Sequence, residues 1–178
     1  MSEVARVYGK ALYDLAKEMD MVKTINDEWM TLSQVIDSTI IDAMNSVDLP
    51  KKDKKAIIAS VFENHISSMM IHFLDVLIDN HRFSYFDLIK DDYFDRYRKD
   101  HHILLVMISS ARPLSDDDLT KIKTVLHQKS GSMIEIDTCI DPTLIAGFTI
   151  EMQGRVIDYS MKHRLDALKN ELKQGVSL

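Results

Sequence analysis

Glycine and proline are distributed very unevenly along this chain. Residues 1–112 contain one glycine, Gly9, and one proline, Pro50, whereas residues 113–178 contain four glycines and two prolines. Both residue types are disfavoured inside helices and mark turns. The first stretch is therefore predicted to consist of helices joined by short polar turns. The second stretch is predicted to be a mixed unit with tight turns.

Charge divides along the same line. Residues 1–105 carry 13 basic and 18 acidic side chains, while residues 106–178 carry 9 and 10. A chain of 178 residues is long enough for one or two domains, and it can bury a core without disulfides or a structural metal. We predict a mostly α protein, with an N-terminal helical bundle over 1–105 and a small C-terminal α/β domain over 106–178.

The composition excludes several classes of protein. The formal net charge of −6 argues against a main partner with a phosphate backbone, so we expect no nucleic-acid partner. Cys139 is the only cysteine, which rules out an internal disulfide and favours a reducing compartment. The N-terminus lacks the apolar run of a signal peptide, and the apolar run Ile103–Ile108 is far shorter than the ~20 residues that span a bilayer. We expect a soluble, cytoplasmic protein.

The first predicted helix is apolar on two sides. One row follows spacings of three and four residues and consists of Val4, Tyr8, Ala11, Leu15 and Met19. A second row of mostly small residues consists of Ala5, Gly9, Leu12 and Ala16. Two interpretations are open. Either this is a central helix packed on both sides within a bundle, or one face lies in the core and the other lines a groove for a partner helix.

Periodicity predicts the remaining elements. Four or five further helices follow before residue 102, carrying the apolar groups Ile25–Ile36, Ile40–Met44, Ile57–Phe62, Ile66–Ile78 and Phe83–Phe94. Beyond them, the order is strand, helix, strand, hairpin and helix. These are placed at Ile103–Ile108, Ser115–Gly131, Met133–Ile136, Phe148–Asp158 and Met161–Leu172.

No catalytic or metal-binding motif stands out. The only Gly-x(6)-Gly spacing, from Gly147 to Gly154, lacks the following Lys-Thr or Lys-Ser of a phosphate loop. His65 and His72 are seven residues apart, and no His-x-x-x-His spacing supports a metal site. We therefore expect no catalytic residues, no metal and no cofactor.

Two residue clusters have both a structural and a functional interpretation. Lys51, Lys52, Lys54 and Lys55 suggest a nucleic-acid patch, but the neighbouring Asp48 and Asp53 favour a solvated helix face. The chain also contains 11 methionines, and pairs such as Met69-Met70 are compatible either with an adaptable docking surface or with ordinary core packing.

Three stretches in register resemble one family. They are the opening Val4–Tyr13, the middle Leu77–Arg82 with Ile89 and Tyr93, and the tail Asp141–Ile150 with Gly154–Asp158, Ser160, Arg164-Leu165 and Leu168. Together they resemble the delta subunit of F-type ATP synthases, the family of the mitochondrial oligomycin-sensitivity-conferring protein. One position departs from the pattern, because Tyr159 stands where the family usually has glycine or another small residue. The departure puts in question the backbone or packing at the end of the hairpin.

The resemblance implies a six-helix N-terminal bundle, a small C-terminal α/β domain and a non-catalytic role in the peripheral stalk, or stator. The bundle would hold the N-terminal helix of an alpha subunit between its first and fifth helices. The C-terminal domain would hold the C-terminal ends of the b subunits. The resemblance also implies a peripheral location on the cytoplasmic face of the bacterial cell membrane, with the membrane reached only indirectly through the complex.

The resemblance and the helix spacing together suggest two contact sets. Tyr8, Ala11 and Leu15 with His72 and Val76 are the candidates for the alpha-helix groove, while Leu74, Leu77 and Ile78 are expected to face the core. The candidates for the b-subunit contact are Phe148, Met161, Leu165 and Leu168. The alternative functions are a helical transcriptional regulator or an unrelated adaptor. The former is disfavoured because residues 1–50 carry four basic and nine acidic side chains.

Overall fold

The computed structural model of the chain describes residues 2–161. The chain divides into two compact units between Tyr97 and Arg98, called here the helical unit and the α/β unit. The described helices are α1 (Glu3–Glu18), α2 (Val22–Val35), α3 (Ser38–Asn45), α4 (Lys51–Phe62), α5 (Ser68–Asp79), a 3-10 turn (Phe83–Tyr85), α6 (Phe86–Asp100) and α7 (Asp116–Ser130). The strands are β1 (Ile103–Ser110), β2 (Met133–Ile140), β3 (Phe148–Met152) and β4 (Arg155–Asp158).

The predicted fold class is confirmed. The described residues form a mostly helical protein with a small four-stranded sheet after the sixth α-helix. The domain limits predicted from the sequence, 1–105 and 106–178, place the boundary inside β1, and they stay a prediction. The predicted last helix from Met161 to Leu172 lies almost entirely outside the described residues.

The helical unit is built around one aromatic residue. Trp29 on α2 is fully buried, and its ring centroid lies 5.2 Å from that of Phe86 and 6.2 Å from those of Phe73 and Tyr93. Tilted and edge-to-face arrangements of this kind add to the apolar area that the rings bury. Trp29 therefore links α2 directly to α5 and α6.

Helix α1 approaches α6 closely at Gly9. A Cβ atom at this position would lie 2.5 Å from Oδ2 of Asp92, so only glycine fits without displacing that side chain. Asp92 is buried and accepts a hydrogen bond from Nε of Arg96 at 2.6 Å. The Asp92–Arg96 pair thus fixes the surface against which α1 packs.

The solvated face predicted for the lysines of α4 is present at Lys51 and Lys52 but not at Lys54. Lys54 is only 2% exposed, and its Nζ donates a 2.6 Å hydrogen bond to the carbonyl oxygen of Ser46. Its long aliphatic stem allows the side chain to cross apolar surroundings while the ammonium finds a backbone acceptor. The prediction is wrong for Lys54, whereas Lys52 is exposed as expected.

The sheet of the α/β unit has the strand order β2-β1-β3-β4. Strands β1 and β2 are parallel and joined through α7, while β3 pairs antiparallel with both β1 and β4. Helix α7 begins at the predicted cap, where Oγ of Ser115 accepts a hydrogen bond from the backbone N–H of Asp118. It ends at Gly131, whose φ of +69° is the left-handed conformation of a glycine cap.

The predicted hairpin is present between β3 and β4. Gln153 and Gly154 have φ values of +52° and +72°, the two positive angles that a tight type I′ turn requires. The register pairs Ile150 with Ile157, so both side chains lie on the same face of the sheet. This face also carries Val106 and Ile108, which are fully buried.

Candidate functional site: an apolar groove between α1 and α5

All five residues predicted for the alpha-helix groove line one groove of about 520 Å³ in the helical unit. Helix α1 contributes Tyr8, Ala11 and Leu15, and α5 contributes His72 and Val76. The groove is also lined by Leu12, Met19, Met21, Ser68, Met69 and Phe73. We call this set of residues the α1–α5 groove.

The two apolar rows of α1 have largely different roles, and only Leu12 belongs both to the core and to the groove. Ala5, Leu12 and Ala16 of the second row are buried in the core of the helical unit. Tyr8, Ala11, Leu15 and Met19 of the first row line the α1–α5 groove. Helix α1 therefore supplies both a core face and a face that lines an open groove, and the binding of a partner helix there stays a prediction.

Helix α5 shows the same division. Leu74, Leu77 and Ile78 are buried, as predicted, whereas His72 and Val76 are exposed along the groove. The Met69-Met70 pair splits between the two roles, because Met70 is fully buried and Met69 lines the groove. Adjacent helical residues point about 100° apart, which explains how one pair serves both surfaces.

Sequence reasoning missed part of the lining. Met21 lies just before α2 and belongs to no stripe of the first helix, so periodicity gave no sign of its position. Phe73 was assigned only to a strongly apolar helix, although it follows His72 and lines the groove. Its contact with Trp29, at 6.2 Å between ring centroids, links the groove wall to the core.

The N-terminal end of α5 is held by a buried carboxylate. Glu28 on α2 is 6% exposed, and its two oxygens accept hydrogen bonds from the backbone N–H of Ser67 at 2.6 Å and from its Oγ–H at 3.0 Å. Burial raises the pKa of Glu28, and the two bonds from Ser67 partly oppose this rise. Ser67 in turn caps α5 by accepting from the N–H of Met70 at 3.3 Å.

The C-terminal end of α5 is held by two lysines of α4. Nζ of Lys51 donates to the carbonyl oxygen of Asp79 at 2.7 Å, and Nζ of Lys55 lies 2.6 Å from its Oδ2. The hydrogen bond to Asp79 raises the pKa of Lys55. Lys51 and Lys55 place positive charge at the C-terminal end of α5, where it interacts favourably with the helix dipole and stabilises the helix.

A second groove, of about 610 Å³, lies in the α/β unit between α7 and the β3–β4 hairpin. Phe148, one of the residues predicted for the b-subunit contact, lines it together with Ile150, Ile157 and Tyr159. Met161 is 47% exposed but is not among the lining residues. The other two predicted residues, Leu165 and Leu168, lie outside the described part of the chain.

Tyr159 is accommodated without loss of the hairpin. Its backbone N–H donates to the carbonyl oxygen of Phe148 at 3.0 Å, and the two rings lie 5.5 Å apart between centroids. The side chain is 47% exposed and forms part of the groove wall. The departure from the family pattern therefore adds an aromatic surface to this groove.

Within residues 2–161, no cluster of three or more potential metal ligands is found. The same part of the chain has no helix long and apolar enough to cross a membrane. What the structure does offer is an apolar groove between two helices, a feature typical of proteins that bind a partner helix. The described residues thus form a helical unit with an open apolar groove, followed in the chain by a small α/β unit.

Comparison with known proteins identifies the family. The model of the ATP synthase delta (OSCP) subunit family matches residues 4–172. An ATP synthase subunit delta of Mycoplasmoides gallisepticum is 32% identical over 168 residues, covering 93% of each chain, and one of Syntrophomonas wolfei is 28% identical over 174 residues, covering 97% of this chain and 96% of the relative. A chain in the cryo-EM structure of the Toxoplasma gondii mitochondrial ATP synthase hexamer has the same fold, with a TM-score of 0.70, 18% identity and coverage of 96% of this chain and 98% of that one.

The chain belongs to the ATP synthase delta (OSCP) subunit family. It is a peripheral-stalk subunit of the F-type ATP synthase, with a structural and non-catalytic role in the complex. The resemblance drawn from three stretches of sequence is thereby confirmed. Because the family model matches nearly the whole chain, the alternative function of a helical transcriptional regulator is wrong.

Proposed function

We propose that the α1–α5 groove binds the N-terminal helix of the ATP synthase alpha subunit and that the α/β unit binds the C-terminal segments of the b subunits. The subunit then connects the catalytic head to the membrane sector and resists the torque of the rotor. In this arrangement it sits on the cytoplasmic face of the bacterial cell membrane and reaches the membrane only through the complex.

The groove has the dimensions of a helix site. Its lining runs along α1 from Tyr8 to Met19 and along α5 from Ser68 to Val76. At 1.5 Å per residue these spans are about 16 Å and about 12 Å, which matches two to three turns of a partner helix. This open apolar channel between two helices is the single observation that most supports the proposal.

Charge favours an amphipathic or basic partner segment. The helical part of the sequence carries 18 acidic against 13 basic side chains, whereas residues 106–178 are nearly neutral. A net negative charge on this part of the chain speeds the encounter with a positively charged segment and disfavours an acidic one. The apolar area that the partner buries then sets the lifetime of the complex.

The proposed b-subunit contact comprises Phe148 and Met161, together with Leu165 and Leu168 beyond the described residues. Its support is the groove between α7 and the hairpin, of which Phe148 forms part. The side chain of Met161 is exposed and available to a partner. Titration of a b C-terminal peptide into a Met161→Asp variant tests this contact, and unchanged affinity would contradict the role of Met161.

The decisive experiment for the alpha-subunit contact is calorimetric titration of an alpha N-terminal peptide into the Ala11→Asp variant. A carboxylate under the bound helix would be buried without a partner, so we expect affinity to fall at least about 100-fold, or about 2.7 kcal/mol. Ala56→Asp provides a matched control, because Ala56 is an exposed residue of α4 outside the groove. The control is expected to bind like the wild type, and equal binding by both variants would refute the groove assignment.

A further inference from the structure

We infer that Glu28 is a positioning residue for the α1–α5 groove: by holding the first turn of α5 it sets the shape of the wall that receives the partner helix. This inference rests on the proposed function of the groove. Glu28 itself does not line the groove, so its effect on binding acts through α5.

A single residue, Ser67, connects Glu28 to the groove-lining part of α5. Both carboxylate oxygens are engaged by Ser67, one by its backbone N–H and the other by its hydroxyl. Ser67 is the cap residue of α5, and the next two residues, Ser68 and Met69, line the groove. A movement of the Ser67 backbone would therefore displace the first groove-lining turn.

Helix α2 contacts the same wall at a second level. Trp29, the residue after Glu28, packs edge-on against Phe73 of the groove with an interplanar angle of 76°. Consecutive residues of α2 thus engage the first turn and the middle of α5. The aromatic contact packs the middle of α5 against α2 but does not reach the first turn of α5. The two directed hydrogen bonds of Glu28 hold that end of the helix through Ser67.

A buried carboxylate is a costly way to hold a helix. A glutamine would fill nearly the same volume without a charge to desolvate, and it would still offer one oxygen to the Ser67 N–H. In the observed geometry each Ser67 donor meets a different oxygen, and glutamine would place an amide nitrogen, which cannot accept, at one of these two positions. Preorganisation explains the use of the charge, since a binding site whose wall is already ordered loses less entropy on binding.

The test compares two acid-to-amide substitutions at helix starts. Glu28→Gln weakens the hold on α5, whereas Asp37→Asn removes an acidic charge at the start of α3 and keeps an oxygen that can accept from the N–H of Ile40, as Oδ1 of Asp37 does at 2.9 Å. Helix α3 contributes no residue to the groove, so Asp37→Asn controls for the loss of one acidic charge elsewhere in the helical unit. We expect Glu28→Gln to weaken binding of the alpha N-terminal peptide about tenfold and Asp37→Asn to change it less than about twofold.

A local readout separates this inference from the proposed function. Hydrogen exchange at the amides of Ser67 and Met70 is expected to accelerate in Glu28→Gln and to stay at the wild-type rate in Asp37→Asn, with no partner present. Unchanged exchange in Glu28→Gln, or equal losses of affinity in the two variants, would overturn the positioning role. Failure of the wild-type protein to bind the peptide would instead refute the proposed function, while the exchange measurement would still decide whether Glu28 holds α5.

Discussion

The helical unit and the α/β unit each carry an apolar groove, but the two grooves rest on very different cores. Among the described residues, the core of the helical unit combines buried aromatic and aliphatic side chains from all six helices. The described core of the α/β unit consists of Val106, Ile108, Ile134 and Ile150. Each groove shares one buried residue with its core, but Leu12 is one of twenty such described residues in the helical unit, whereas Ile150 is one of four in the α/β unit.

The size of the core behind each groove affects how much the unit changes when a partner binds. A groove whose floor is already packed from behind keeps its shape without an occupant and binds with little reorganisation. Where the core residue is itself the floor of the groove, a partner that covers the groove also completes the burial of the core. We therefore expect partner binding to stabilise the α/β unit more than the helical unit.

The largest expected effect comes from removing the central aromatic side chain. Trp29→Ala deletes a fully buried ring that contacts three others, and we expect a loss of about 3–5 kcal/mol in the free energy of unfolding of the helical unit. Ile150→Ala is expected to cost about 2 kcal/mol in the α/β unit, because one side of Ile150 faces the open groove. Urea unfolding followed by circular dichroism and hydrogen exchange measures both, and a larger loss for Ile150→Ala would reverse the comparison.

A second prediction concerns two glycines within the α/β unit. Gly147 has φ +92°, and a Cβ atom there would lie 2.5 Å from the carbonyl oxygen of Tyr159. Gly154 also has a positive φ, of +72°, but open space surrounds its Cβ position. We expect Gly147→Ala to cost about 3 kcal/mol and Gly154→Ala about 1 kcal/mol in urea unfolding, since only the former adds a backbone clash to the conformational penalty. Equal costs would show that the chain around Gly147 and Tyr159 rearranges freely.

The smallest expected effect concerns the pH dependence of the unfolding free energy, to which Glu28 and Asp141 are expected to contribute with opposite signs. Burial raises the pKa of Glu28, so its contribution to stability is fully present below its unfolded-state pKa and is lost as the pH rises through its folded-state pKa. Hydrogen bonds from Thr143 lower the pKa of Asp141, so its contribution is present above its unfolded-state pKa and is lost as the pH falls through its folded-state pKa.

The measurement is the difference in unfolding free energy between the wild type and each amide variant across the acidic range. For Glu28→Gln, the wild-type advantage is expected to shrink as the pH rises, and for Asp141→Asn it is expected to grow. Profiles with the same slope would contradict one of the two assignments.

Much of the fold was predictable because it depends on local pattern. The two apolar rows of α1 have spacings that only a helix brings onto two faces, and the small residues of the second row fit a close contact. The Gln153-Gly154 turn and the Ser115 cap of α7 were predictable for the same reason, since each acts within a few residues. The five groove residues followed from helical spacing and from the family resemblance together.

What escaped prediction depends on contacts between residues distant in sequence. The buried Lys54 looked like one of four solvated lysines, because its acceptor, the Ser46 carbonyl, lies on the preceding segment. The requirement for glycine at position 9 depends on Asp92, which is 83 positions away. Glu28 did leave a signal, since it falls on the same helical face as Ile25 and Leu32, where an acid has no obvious place.

The double attachment of α5 has a mechanical consequence. A helix held at one end peels away under a sideways pull, because the contacts break one after another from the free end. Helix α5 has no free end within the helical unit: Glu28 holds its start through Ser67, and Lys51 and Lys55 hold its finish at Asp79. A force applied along the groove between these points is shared between both attachments as shear, and this is the loading that a stationary support for a rotating machine must withstand.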